Sequence, residues 1–180
     1  GFSQGRSPNN PWQRVDQISA TKPASEAWIR PGKFRAFNLN HTALRAILDR
    51  APMEFTPQAA QTPAELILPM PDGAFARFLI VESPVMVPEL AAKFPEIKTY
   101  FGQGVDDPTA TVRFDLTPPG FHAQVLSPNG AVYIDPYWKG DANLHTSYYK
   151  RDYRRAVDFE CFTSTDNNPT TARTSAAGDL

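Results

Sequence analysis

Histidine is the residue type in this chain that could most readily act as an acid–base group or a metal ligand. The chain contains three: His41, His122 and His145. They are far apart in the sequence, and none stands in an H-E-x-x-H or comparable ligand spacing. His41 falls in the first turn of a predicted helix, and His122 is predicted on the outer face of a strand. A small hydrolase that pairs His122 or His145 with a carboxylate is therefore the least favoured function.

Paired carboxylates could support glycoside hydrolysis, which needs two such groups across the scissile bond. Four aspartates are available: Asp106, Asp107, Asp115 and Asp135. Carboxylates beside turns usually form the turn or are solvated. The sequence contains no G-x-S-x-G nucleophile elbow and no G-x-x-x-x-G-K-S/T phosphate loop. We therefore predict no catalytic residue and no cofactor in this chain.

A G-x-G sequence, from Gly102 to Gly104, could in principle cradle a phosphate group. A phosphate loop requires that the glycines open a helix, so that backbone N–H groups converge on the anion. Here a D-D-P turn follows, and residues 109–116 then alternate apolar and polar side chains with the period of a strand. We therefore predict a glycine-rich bend or bulge where one strand ends.

Tyrosine and tryptophan are concentrated between residues 133 and 153. Five of these side chains form a predicted interaction surface: Tyr133, Tyr137, Trp138, Tyr148 and Tyr149. Such a surface could stack on sugar rings or dock a protein. The alternative is that these amphipathic side chains simply pack at the edge of the core.

Cys161 is the single cysteine, which excludes an internal disulfide framework and a zinc cluster built from cysteines. A lone cysteine is usually a small buried apolar residue. Its alternative role is a thiolate that reaches a metal ion in another domain. The residues themselves leave both roles open.

Charge and hydropathy argue against two kinds of interaction, nucleic-acid binding and a membrane span. The 180 residues carry 18 basic and 19 acidic side chains, for a net charge of −1, so no basic field exists to attract nucleic acid. No apolar run is long enough to span a bilayer. The length suffices for one domain with a sizeable core.

Strand patterns and hairpin turns dominate the middle of the chain. Strands are predicted at residues 33–39, 65–70, 74–82, 97–101, 109–116, 121–126 and 131–135, with an extended piece at 147–153. The strand at 74–82 is apolar on both sides, which predicts a central strand covered on one face by a helix or a second sheet. Asn40 is placed to cap a helix that ends at residue 49 or 50, and a short helix is predicted at 88–93.

Long helical crossovers, which parallel strands require, are missing from this pattern. The predicted fold is therefore α+β, mainly antiparallel β-sheet with two short helices. Residues 1–26 read as an N-terminal extension, residues 27–162 as the α+β domain, and residues 163–180 as a polar linker.

Four segments of the chain together resemble a known family: 82–90 (ESPVMVPEL), 94–104 (FPEIKTYFGQG), 120–123 (GFHA) and 134–137 (IDPY). The order and the sequences of these segments are similar to those in the N-terminal pro-region of secreted bacterial zinc metallopeptidases with a reprolysin-like (metzincin) catalytic domain. The resemblance covers about residues 33–155.

The resemblance implies a secreted zymogen, in which a non-catalytic pro-domain assists folding of its own downstream catalytic domain and keeps it latent. Zinc would belong to that domain, beyond residue 180, and not to this chain. Related animal pro-regions use a cysteine switch, so the resemblance makes Cys161 a candidate ligand to that zinc, although Glu160 and Phe162 do not match the animal switch sequences. The alternative function is an extracellular β-rich module that binds carbohydrate or protein through residues 133–153.

Overall fold

A computed structural model describes residues 10–18 and 27–153 of the chain. Nine β-strands lie in these residues: β1 (Trp12–Val15), β2 (Arg35–Leu39), β3 (Ala64–Pro69), β4 (Phe75–Glu82), β5 (Lys98–Gly104), β6 (Thr111–Thr117), β7 (Gly120–Ser127), β8 (Gly130–Pro136) and β9 (Leu144–Tyr149). Three short helices accompany them: α1 (His41–Leu48), α2 (Pro57–Gln61) and α3 (Pro88–Ala91). A 3-10 turn, Lys150–Asp152, follows β9.

The strands form one antiparallel sheet in the order β1-β2-β9-β8-β7-β6-β5-β4-β3. Strands β3 to β9 follow one another as successive neighbours, which is the pattern that short turns produce. The first two strands do not extend the β3 edge. They add instead to the far side of β9, so that β1 and β3 are the two edges of the sheet.

The sheet curls until its two edges approach each other. The indole Nε1 of Trp12 in β1 donates a hydrogen bond to the carbonyl of Ile67 in β3 at 3.0 Å. The hydroxyl of Ser147 in β9 donates to the carbonyl of Pro69 at 2.8 Å. Both acceptors lie on alternate residues of β3, so these side chains satisfy carbonyl groups that an edge strand would otherwise present.

The core fills the inside of this curl. Alternate residues of the strands point inward, and the largest fully buried side chains include Phe37, Phe78, Phe121, Leu66 and Ile134. Helix α1 closes one side through Leu44, Ile47 and Leu48, which recur at helical spacing and are all buried.

Helix α1 begins where its capping residue predicts. The side chain of Asn40 accepts a hydrogen bond from the backbone N–H of Ala43 at 3.0 Å, which satisfies one of the free donors of the first turn. Thr56 caps α2 in the same way through the N–H of Ala59.

The predicted mainly antiparallel sheet is confirmed, and the described residues contain three short helices where two were predicted. Strand β1 and helix α2 were not predicted, because each is short and lies in a polar stretch with no clear periodicity. Residues 74–82 are predicted to form a central strand covered on one face, and β4 does bury one face, through Phe78 and Ile80. Strand β4 lies beside the edge strand β3, and Phe75 and Leu79 are 40% and 41% exposed.

The G-x-G lies in β5 and is followed by strand β6, as the alternating pattern predicts. Gly102 is a regular ladder residue, paired with Ile80 and Val112. A Cβ atom there would lie 2.9 Å from methyl groups of both partners. Gly104 ends the strand, and a Cβ there would lie 2.2 Å from the carbonyl oxygen of Asp107. The glycines therefore serve close packing of a strand and its turn.

Candidate functional site

A groove of about 320 Å³ lies on the outer face of the sheet, on the side away from the core. It crosses strands β5 to β8 and is bordered by the connection from β4 to β5. Its lining residues are Val85, Thr99, Tyr100, Arg113, Phe114, Asp115, His122, Ala123, Gln124, Tyr133 and Asp135. We call it the outer groove.

A row of three hydrogen-bonded side chains crosses the floor and wall of the outer groove. The Nδ1 atom of His122 lies 2.9 Å from Oδ1 of Asp135. The hydroxyl of Tyr148, from β9, donates to the other carboxylate oxygen of Asp135 at 2.8 Å. Because β7, β8 and β9 are neighbours in the sheet, their outward-facing residues meet in this order.

These contacts shift the protonation equilibria of the row. The hydrogen bond to Asp135 raises the pKa of His122 above its usual value, against the effect of burial. Burial, with the Asp135 carboxylate close by, raises the pKa of Tyr148, so the phenol stays protonated and remains a donor. Asp135 thus holds the His122 ring in place and favours its protonated, positively charged form.

Asp115 of β6 lies directly across the ladder from His122. It accepts no hydrogen bond from any residue in the part of the chain that the structure describes, although it is half-buried. Burial raises its pKa, with the Asp135 carboxylate acting in the same direction and the nearby His122 acting against them. Asp115 is thus a carboxylate that faces the groove with its acceptor sites open.

The His122–Asp135 pair has the geometry of a general base held by a carboxylate, but no described residue that lines the groove offers it a free hydroxyl or thiol. Thr99 is the one serine, threonine or cysteine among the lining residues. Its hydroxyl donates to the carbonyl of Ser83 at 2.7 Å and accepts from the N–H of Val85 at 3.2 Å. A histidine base can activate a hydroxyl or thiol only where that group is within reach and not already bonded elsewhere.

The other two histidines are apart from the groove. A ring nitrogen of His41 lies 2.7 Å from the carbonyl of Ala142. His145 is fully buried on the inner face, between Trp12 and Phe121. Within residues 10–18 and 27–153, no group of three histidine, cysteine, aspartate or glutamate side chains is arranged to hold a metal ion.

His145 is held as a neutral imidazole by two opposite hydrogen bonds. Its Nε2 accepts from the backbone N–H of Phe121 at 3.2 Å, and its Nδ1 lies 3.2 Å from the carbonyl of Asn143, to which it donates. Burial lowers the pKa of His145 to about 4. Protonation would replace the acceptor at Nε2 with a donor that faces an N–H group.

We expect the domain to lose stability in acid through His145. The unfolded histidine takes up a proton below about pH 6.5, whereas the folded one does so only near pH 4. The free energy of unfolding should therefore fall as the pH drops through this window, by about 3 kcal/mol from this group. Urea unfolding of the wild type and of His145→Gln, measured from pH 7 to pH 4, checks this. Glutamine can accept the hydrogen bond from the Phe121 N–H but does not titrate. If both proteins lose the same free energy of unfolding in acid, the loss does not come from His145.

The five aromatic residues of the predicted interaction surface do not lie together. Tyr133 and Tyr148 stack at 5.9 Å on the outer face, and Tyr148 is buried. Trp138 is buried against Tyr137, which itself stacks on Phe34. Tyr149 packs toward the core, under the guanidinium of Arg151. Of the five, only Tyr133 lines the outer groove.

The candidate carboxylates separate into two groups. Asp106 pairs with Arg77, and Asp107 accepts from Thr109, so both stabilise the turn between β5 and β6. Asp115 and Asp135 line the outer groove and flank His122, a proximity that the sequence patterns do not predict. Cys161 lies outside the residues that the structure describes.

Exposed apolar side chains follow the groove residue Val85 along the chain. Val85 lines the outer groove and is 68% exposed, and Val87 follows at 62%. Leu90 and Phe94, in and just after α3, are also exposed. Such a concentration of apolar side chains on a small domain is typical of a surface that contacts another polypeptide. No helix in the described residues is long and apolar enough to cross a membrane.

Comparisons of the chain with protein-family models, with curated proteins and with solved structures found no match.

Proposed function

We propose that this chain is the non-catalytic pro-domain of a secreted zinc metallopeptidase, which assists folding of its catalytic domain and keeps it latent. The proposal rests on one observation: the four segments that resemble the pro-region family lie next to one another in the folded domain. They are up to 55 positions apart in the sequence, yet each contributes lining residues to the outer groove: Val85, Thr99 and Tyr100, His122 and Ala123, and Asp135.

The apolar border of the groove supports an occupant that is itself a polypeptide. Val85 lines the groove, and both Val85 and Val87 are exposed apolar side chains. A surface with a buried polar centre and an apolar border suits an extended peptide, which offers alternating side chains and backbone groups. A domain that acts on an attached protein needs such a surface and no chemistry of its own.

The cysteine switch is a separate part of the proposal. Zinc in the catalytic domain would take the Cys161 thiolate at its open position and lose its activated water. Contact through the outer groove does not depend on that thiolate. Exchange of Cys161 for alanine therefore separates the two sources of latency.

The alternative proposal is a carbohydrate-binding module. A stacking platform needs exposed aromatic faces. In the described residues Trp138 and Tyr148 are buried, and Tyr133 is stacked on Tyr148 with its hydroxyl bonded to Gln124. This arrangement favours the pro-domain over the sugar platform.

The pro-domain proposal is tested first by the reading frame and then by inhibition in trans. Translation beyond Leu180 should show H-E-x-x-H-x-x-G-x-x-H within about one domain length. The purified 180-residue chain, added to that catalytic domain, should inhibit peptide hydrolysis and raise the yield of active enzyme on refolding.

A matched pair of surface variants locates the contact. Val85→Asp places a charge at the groove border and should raise the inhibition constant about tenfold or more. Phe55→Asp, at a 95% exposed residue that does not line the groove, should leave the constant unchanged. A stop codon soon after Leu180, or wild-type chain that does not inhibit, would overturn the proposal.

A further inference from the structure

The two aspartates of the outer groove differ in the hydrogen bonds that the described residues make to them. Both oxygens of Asp135 are engaged, one by His122 and the other by Tyr148. Asp115 accepts no hydrogen bond from any described residue. A half-buried carboxylate gains free energy from a charged donor that displaces water from it. Asp115 is therefore the position in the groove where a ligand's cation would be best accommodated.

The cation nearest along the same strand does not occupy that position. The guanidinium of Arg113 lies 5.3 Å from the centre of the Phe101 ring, and its Nη1 is 3.5 Å from the hydroxyl of Ser83. These contacts hold Arg113 toward β4 and β5, away from Asp115. Within the described residues, the cation that can face Asp115 is His122, and only in its protonated form.

We propose that the outer groove binds an extended peptide segment with one arginine side chain at Asp115 and apolar neighbours against Val85 and Val87, and that protonation of His122 releases it. This inference rests on the proposed function, because it names the contact through which the pro-domain would hold its protease. Arginine is favoured over lysine because a planar guanidinium can pair with a carboxylate through two hydrogen bonds.

The release follows from charge. With His122 neutral, the groove carries two carboxylates against the one guanidinium of Arg113, so it attracts a cation. Protonation of His122 adds a positive charge directly across the ladder from Asp115 and cancels that attraction. The groups that face His122 from the surrounding elements are Arg113 and Asp115 on β6, Gln124 on β7, Tyr133 and Asp135 on β8, Tyr148 on β9, and Trp28 from the segment before β2.

The direction of the pH effect is set by the same contacts. The hydrogen bond to Asp135 raises the pKa of His122, so the charged form begins to accumulate above pH 6.5. The raised pKa of Asp115 means that its carboxylate is also lost earlier in acid than an ordinary aspartate. Affinity for an arginine peptide should therefore fall as the pH drops, first through His122 and then through Asp115.

The experiment titrates the ¹⁵N-labelled 180-residue chain with acetyl-Leu-Arg-Leu-amide, followed by amide chemical shifts at pH 8 and pH 5.5. The neutral isostere acetyl-Leu-citrulline-Leu-amide is the control ligand. Shifts should concentrate at Asp115, His122 and Gln124. The citrulline peptide should bind about tenfold more weakly or worse, and so should the arginine peptide at pH 5.5.

Three variants assign the effect to residues. Asp115→Asn should weaken the arginine peptide about tenfold and leave the citrulline peptide unchanged. Asp72→Asn, an exposed turn residue whose side-chain oxygen still caps Ala74, is the matched control and should bind as the wild type does. His122→Gln should retain affinity at pH 5.5.

Equal binding of the two peptides, no loss in Asp115→Asn, or no binding at millimolar peptide would overturn the arginine contact. These results differ from a failure of the proposed function. A chain that inhibits the protease but ignores arginine keeps its function and loses this contact. A chain that binds the arginine peptide through Asp115 but does not inhibit keeps the contact and loses the pro-domain role.

Discussion

Replacement of Trp12 by alanine is expected to lower the free energy of unfolding by about 3–5 kcal/mol. Trp12 is 5% exposed, and its ring meets Phe121 at 5.3 Å and His145 at 5.5 Å. The substitution removes this packing and also the hydrogen bond to Ile67 that joins the two edges of the sheet. Urea or guanidinium unfolding, monitored by circular dichroism, measures the loss.

Two further variants separate packing from hydrogen bonding. Trp12→Phe keeps an aromatic ring but has no N–H donor, so it should cost less, about 1–3 kcal/mol. Gln13→Ala, at the exposed neighbour in β1, should change stability by about 0.5 kcal/mol or less. If Trp12→Ala costs no more than Gln13→Ala, β1 does not hold the curled sheet together.

Replacement of Gly104 by alanine is the second change with a large expected effect, a loss of at least about 3 kcal/mol. The added Cβ would lie 2.2 Å from the carbonyl oxygen of Asp107 and 3.2 Å from that of Ala110. Both neighbours are backbone atoms of the turn into β6, and Gly104 also donates its N–H to Ala110. The turn must therefore move, and the end of the ladder between β5 and β6 moves with it.

Gly102→Ala is the matched comparison in the same strand. Its Cβ would lie 2.9 Å from side-chain methyl groups of Ile80 and Val112, which can rotate or shift. We expect a smaller loss of about 1–3 kcal/mol. Thermal unfolding of both variants shows which one loses more stability. A Gly104→Ala protein as stable as the wild type would contradict the steric argument.

The residues of the outer groove can be found in the sequence one by one, but their proximity follows only from the register of the strands. Two-residue turns fix the register of the flanking strands. Pro118-Pro119 joins β6 to β7, and the register from this turn sets Asp115 opposite His122. Pro128-Asn129 joins β7 to β8 and brings His122 beside Asp135 in the same way. Counting outward from both turns would have predicted the cluster from the sequence.

Counting residues outward from turns does not predict the long-range placement of strands in the sheet. The alternation in residues 109–116 and the cap at Asn40 are local, and both predicted their elements well. The place of β1 and β2 beside β9 depends on contacts more than 100 residues apart, for which no local pattern exists. The exposure of Leu79 has the same origin, because it depends on the position of β4 in the sheet.

The position of β9 between β2 and β8 has a consequence for the order of events during synthesis. Strands β1 and β2 leave the ribosome early and pair with each other, but β2 joins the rest of the sheet through the last strand, residues 144–149. Because chains emerge from their N-terminus, β1 and β2 must wait while some hundred residues are made before they can dock. A nascent chain halted before that point lacks His145, which contacts Trp12 and pairs with Phe37, so we expect completion of this fold to wait for its final strand.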